Sequence, residues 1–405
     1  MIERFLKVHV KRAQLVFAAF ALVAIASAGC EKKEVEATPQ VIAREGVSGA
    51  VSRATAWSAL HAGVDGALDA ARSYRPDPRA GMGEVMTRDG TFRRGVALGL
   101  FSADPSLEAR KSHYSTMLDE IVAAGATDLS LVPRWAQRDV ASDTIAPLEG
   151  TTVPDAELEW VISEASARGL RLFLMPYIYV EVRARGKWRG TIEPGDEDAW
   201  WASYERFILH YADMAQRHDA ALYSVGSELL SMETKDARWR GLIAKVRARF
   251  DGQLTYSSNW DHFEVPTYWD ALDVVGMTAY QELSKRPNPS WWDLTQGWVT
   301  FRKRLRVWLL QRQSRFIFTE IGYPSHSDAA ARPWDYSERG ESDVPLQARC
   351  FRAMMDVWHA DERLAGVYIW NWFGFADGSD RGYSPRGKPS KDVITHWYKE
   401  SMPGQ

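Results

Sequence analysis

Two glutamates, each closing a short apolar run, are the residues best placed to do chemistry. Glu228 follows A-L-Y-S-V-G-S, and Glu320 follows F-I-F-T. A carboxylate at the carboxyl end of a buried strand adds little to a core. It is well placed at the mouth of a parallel barrel, where strand ends meet. Breaking a glycosidic bond needs two such groups with different proton affinities. One stays protonated near neutral pH and protonates the leaving oxygen. The other stays ionised and attacks the anomeric carbon. A separation of roughly 5–5.5 Å between them gives retention, and a larger one inversion. The chain spacing, 320 − 228 = 92 residues, leaves that distance open. Each glutamate also has a purely structural reading. Glu228 with Ser227 can stabilise a helix N-terminus. Glu320 can belong to a buried ion pair, since an unpaired buried carboxylate costs several kcal/mol.

The elements that must position these groups alternate regularly. Apolar runs at 95–101, 128–132, 172–178, 222–226, 254–258, 274–279, 316–319 and 366–370 read as strands. Helical periodicity lies between most of them, at 113–124, 155–168, 199–217, 237–250, 291–311 and 344–360. Eight short runs alternating with helices predict a parallel sheet closed into a (β/α)₈ TIM barrel, an α/β fold. The barrel domain is expected over residues 92–400. No fixed-period repeat occurs.

Other residues at strand ends suit a sugar cleft. Tyr280 closes V-V-G-M-T-A-Y and can hydrogen-bond a carboxylate. Asn259 and Trp260 close L-T-Y-S-S. Trp370 and Trp372 stand two apart in V-Y-I-W-N-W-F, so strand alternation places them on one face. The chain has 18 tryptophans, which serve either core packing or flat-ring stacking.

The 405 residues are 45% hydrophobic with a net charge of −3, an ordinary globular balance without the basic field that nucleic acid requires. The amino terminus reads as a targeting segment over residues 1–30. Arg4, Lys7, Lys11 and Arg12 precede an apolar stretch at 13–28 that is short for a membrane span. Ser27-Ala28-Gly29-Cys30 resembles a bacterial lipobox, which makes Cys30 the expected lipidation site. Ala26-Ser27-Ala28 also suits ordinary signal cleavage. The expected setting is export and lipid anchoring in a bacterial cell envelope, or secretion if the cleavage is ordinary. Residues 31–91 read as a polar tether followed by an amphipathic helix at 52–72 around Trp57. Cys350, the only other cysteine, reads as a small buried apolar residue. The nine histidines show no metal-ligand spacing, and Asp377 and Asp380 around Gly378 make an incomplete calcium loop. H-E-x-x-H, G-x-S-x-G and phosphate-cradling glycine loops are absent from the sequence. No cofactor or metal is expected, and the chain is expected to be a monomer.

In order, G-K-W-R-G-T-I-E-P (186–194), W-W-A-S-Y (200–204), S-V-G-S-E-L (224–229), L-T-Y-S-S-N-W-D (254–261), F-T-E-I-G-Y (318–323) and G-K-P-S (387–390) form a pattern. With it, residues from about 95 to 398 resemble glycoside hydrolase family 113, the β-mannanase-like members of a retaining (β/α)₈ clan. The resemblance implies Glu228 as general acid/base and Glu320 as nucleophile. It implies Tyr280 as partner of the nucleophile and Trp370 as the platform under the reacting sugar. Trp188, inside the first motif, joins the expected sugar contacts. Two positions depart from the pattern. Ser227 stands where many clan members carry Asn against the sugar 2-hydroxyl, and Tyr177 stands where the family carries His.

The expected function is a retaining glycoside hydrolase acting on a β-linked polysaccharide or oligosaccharide, with β-1,4-mannan the polymer the resemblance points to. The alternatives are a non-catalytic glycan-binding lipoprotein on the same barrel, and an envelope scaffold using the Trp57 helix.

Overall fold

A computed structural model describes residues 92–100, 104–337, 340–374 and 381–400. The targeting segment, Cys30, the tether, the Trp57 helix and the Asp377–Asp380 pair lie outside the described residues.

Eight parallel strands close into a barrel. In chain order they are β1 (Arg93–Leu98), β2 (Asp128–Leu131), β4 (Arg171–Leu174), β6 (Leu222–Ser227), β7 (Gln253–Asn259), β8 (Val275–Thr278), β9 (Phe316–Ile321) and β10 (Leu364–Trp372). The hydrogen-bonded order β1-β10-β9-β8-β7-β6-β4-β2 returns to β1. This is the (β/α)₈ TIM barrel that the alternation of runs predicts. Strands β2, β6, β8 and β9 are buried at every position, because core lies inside the barrel and helices cover its outside. Along the strands the two environments alternate. Phe173, Leu222, Ile317 and Tyr368 belong to a small cluster with Met175 and Val274. Their neighbours Leu174, Tyr223, Phe318 and Ile369 join the large cluster shared with the helices. The small cluster is the barrel interior.

Among the described residues, seven helices cover the outside: α1 (Leu107–Ala123), α2 (Asp155–Ala167), α3 (Glu197–Arg217), α4 (Asp236–Arg247), α5 (Trp291–Leu309), α6 (Val344–Trp358) and α7 (Pro389–Glu400). Side-chain caps start several of them. Asp196 accepts from the Ala199 amide at 3.0 Å, and Ser290 and Asp293 form a capping box. Helix α1 begins at Leu107, six residues before the predicted start, because Ser106 caps it ahead of the apolar periodicity. Helix α7 is an addition to the sequence reading, and β7 connects to β8 through only a 3₁₀ turn at Tyr268–Ala271. Cys350 is fully buried in α6, as expected.

The predicted strand at 172–178 is two strands. Strand β4 ends at Leu174, and β5 (Tyr177–Val180) leaves the barrel to pair with β3 (Arg134–Gln137) in a separate two-stranded sheet. Pro176 stands between them and cannot donate to a ladder. The small sheet lies after the carboxyl ends of β2 and β4. It therefore builds out the rim of the barrel on the side where Glu228 sits.

Candidate active site

Asn259, Thr278 and Glu320 occupy matching register positions on β7, β8 and β9. Glu228 directly follows β6, the next strand round. Thr278 ties the row together. Its hydroxyl donates to Glu228 Oε1 at 2.6 Å and lies 3.3 Å from Asn259 Oδ1. Asn259 Oδ1 also accepts from the Trp260 amide at 3.0 Å. The barrel thus brings both glutamates to one end and to the same few side chains.

Their environments differ. The Tyr280 hydroxyl donates to Glu320 Oε2 at 2.8 Å. Burial, and then the charge of Glu228, push the Glu320 carboxyl up to about 8, while Arg189 and Tyr280 pull it back down. Glu228 instead forms an ion pair with the Arg189 guanidinium. In this substrate-free geometry Glu320 favours its proton. Burial works against the charge of Arg189, but Glu228 and then Glu320 more than offset it and raise its proton affinity. Burial and the neighbouring Glu320 likewise hold the Tyr280 phenol well above its ordinary range.

Arg189 lies in a 3₁₀ turn, Arg189–Thr191, beyond the small sheet. Its guanidinium sits over the Tyr177 ring at 5.3 Å and the Trp188 ring at 5.7 Å, both cation–π distances. Tyr177 and Trp188 therefore reach the carboxylates through Arg189. The Tyr177 hydroxyl accepts from Arg134 at 3.2 Å. Gly190 is needed in the turn, because a Cβ there would fall inside the Trp188 ring.

Trp370 is partly exposed on β10, and its carbonyl packs against Gly322, two residues after Glu320. A Cβ at Gly322 would overlap that carbonyl, so the glycine lets β10 approach the end of β9. Trp372 does not share this face. It is fully buried, and its indole donates to Glu120 of α1 at 2.9 Å. The reason is a register shift: β1 residues Val96 and Leu98 pair with Ile369 and Trp372, which inserts an extra residue on β10 and breaks the alternation. Trp372 is a core residue on the helix side. Ser227 is buried and its hydroxyl has no hydrogen-bond partner among the described residues. Trp260 stacks on Trp334 at 6.1 Å, and Trp334 is exposed.

Three residues beside the carboxylates escape the sequence reading. Thr278 could have been found, since it stands two before Tyr280 in M-T-A-Y. Arg189 lies inside G-K-W-R-G-T-I-E-P next to Trp188, and nothing in that local stretch points it at a carboxylate. Tyr383, edge-on to Tyr280 at 6.0 Å, comes from the segment after β10 and has no local signal.

The sequence profile of Glycoside Hydrolase Family 113 matches residues 101–387. No curated protein matches the chain by sequence. Among solved structures, the β-mannanase AaManA from Alicyclobacillus acidocaldarius in complex with ManMIm is 27% identical. The alignment covers 77% of this chain and 99% of that one, with a TM-score of 0.69. A family 113 β-1,4-mannanase is 24% identical over 76% of this chain and 99% of that one, with a TM-score of 0.68. The β-glucuronidase of Faecalibacterium prausnitzii shares the barrel alone, at 12% identity over 76% of this chain and 49% of that one, TM-score 0.52. A barrel with two glutamates at its mouth and a family profile spanning most of it lead to one assignment: the chain belongs to glycoside hydrolase family 113 and is a glycoside hydrolase.

Proposed function

We propose that this protein cleaves a β-linked mannan by double displacement, with Glu320 as nucleophile and Glu228 as general acid/base. The observation that carries the reading is the pair of buried carboxyl groups at one barrel end: Thr278, the register partner of Glu320, bonds Glu228, and Tyr280 bonds Glu320. In the first step a Glu320 oxygen bonds to the anomeric carbon. The glycosidic C–O bond breaks, and the leaving oxygen takes the proton of Glu228. In the second step Glu228 takes a proton from water, whose oxygen attacks the same carbon and releases Glu320. The Tyr280 hydroxyl orients Glu320 through one oxygen. The first step needs a proton on Glu228. The Arg189 ion pair therefore has to open as sugar enters.

Mannan as the polymer is supported by two structural relatives, both described as β-mannanases. Trp370, Trp188 and the Trp260–Trp334 pair offer the part-exposed rings on which pyranose faces stack. The tethered, lipid-anchored envelope location read from Cys30 and residues 31–91 is proposed with it, and so is a monomeric state. The test is reducing-end release from β-mannans, glucans, xylans and galactans by the full chain, with Glu320→Gln as control. Release from mannan that vanishes in the control is expected. Glycan binding without release by the wild type would favour the non-catalytic alternative.

A further inference from the structure

Glu233 takes no part in the two steps above, yet its carboxyl group is fully buried five residues after Glu228. Such a group persists only where donors meet it. Tyr256 Oη donates to Oε1 at 2.9 Å, Ser258 Oγ lies 3.4 Å from the same oxygen, and His262 Nδ1 lies 3.1 Å from Oε2. His262 sits at the outer end of this set, with its side chain one-third exposed. Burial raises the Glu233 carboxyl, and His262 and Tyr256 oppose that rise.

The Tyr256 hydroxyl has a second bond. It accepts the amide of Leu229 at 3.0 Å, and Leu229 is the residue after Glu228. The amide of Glu228 itself donates to the Ser257 carbonyl at 2.9 Å. Both peptides flanking Glu228 are therefore tied to β7. Glu228 has φ +54°, a left-handed conformation that a glutamate adopts only when its surroundings impose it. The carboxyl direction that reaches Thr278 depends on that conformation.

We propose that Glu233, acting through the Tyr256 hydroxyl, is a positioning residue for Glu228. The Glu233 carboxyl fixes the phenol, the phenol fixes the Leu229 amide, and the amide holds Glu228 in its left-handed turn. This rests on Glu228 being the acid/base. It adds a third carboxylate to the machinery, placed behind the strand wall and out of reach of substrate.

The test compares kcat/KM of the full chain on two aryl β-mannobiosides, one with a dinitrophenyl and one with an unsubstituted phenyl leaving group. The first leaves without protonation, and the second needs the acid. Glu233→Gln keeps the size and an acceptor oxygen but removes the charge. Tyr256→Phe keeps the ring and removes the link, and it supplies the answer if Glu233→Gln does not fold. Phenyl turnover is expected to fall by about 10–100-fold, the scale of a misplaced catalytic group. Dinitrophenyl turnover is expected to fall by less than about threefold, because the bond to a good leaving group breaks without an acid. Equal losses on both substrates, or no loss, would overturn the proposal and make Glu233 an ordinary buried polar residue. A wild type that releases neither phenol would overturn the mannan double-displacement reading, and this one with it.

Discussion

Replacing Glu320 by Gln should abolish turnover and at the same time stabilise the fold at alkaline pH. The Glu320 carboxyl ionises near 8 in the folded chain, against an ordinary value of 4.5. Its folded value is raised. Its contribution to stability is therefore fully present below pH 4.5 and is lost as pH rises through 8. Between those limits the unfolded chain ionises freely, while the folded chain must either keep a proton or bury a charge beside Glu228. The cost grows by about 1.36 kcal/mol per pH unit, so over this window it is on the order of 5 kcal/mol. Glutamine carries no such cost, and its amide oxygen still accepts from Tyr280. Glu320→Gln should therefore match wild type near pH 4.5 and exceed it by roughly 10 °C in Tm near pH 8, taking about 2 °C per kcal/mol for a large domain. Urea unfolding followed by tryptophan fluorescence at several pH values, together with mannan hydrolysis, reads both effects. A stability difference that does not change between pH 4.5 and 8, or a variant less stable than wild type at pH 8, would refute the argument that burial and Glu228 destabilise the Glu320 anion.

Three further outcomes are expected. Tyr280→Phe removes a hydrogen bond to a charged group, worth about 1.5–3 kcal/mol, so kcat should fall roughly 10–150-fold with KM little changed. Arg189→Gln removes a cation that lowers the proton affinity of Glu320. Because Glu320 must be ionised to attack, the acid limb of the kcat/KM profile should move to higher pH; a shift to lower pH would contradict the assigned role. Trp372→Ala should destabilise the fold by about 3–5 kcal/mol, as for a buried aromatic. Trp370→Ala should instead raise KM with Tm nearly unchanged, and thermal melts alongside substrate titrations separate the two.

The barrel was legible in the sequence because each unit states itself locally. Eight apolar runs of strand length, with a helical period between most of them, leave little topological freedom. The predicted helices matched within a few residues except at α1, where the cap lies a turn and a half ahead of the periodicity. The run at 172–178 divides into two strands, and composition alone does not show that Pro176 ends one ladder and that the chain then pairs elsewhere. Trp372 was misplaced for a related reason. Alternation holds only in a regular strand, and the extra residue on β10 is a property of its pairing with β1.

By itself, then, the sequence determined the barrel, the two strand-end glutamates and Tyr280 beside them. These follow from residue type and position within one element. Tertiary structure alone decided what those glutamates meet. Arg189 reaches Glu228 from a turn 39 residues earlier in the chain. Thr278 reaches it from 50 residues later. Tyr256 joins Glu233 to the Leu229 amide from another strand. The proton affinity of a carboxyl group depends on burial and on charges brought near by folding. That information lies in the spacing between elements, which no single stretch of sequence contains.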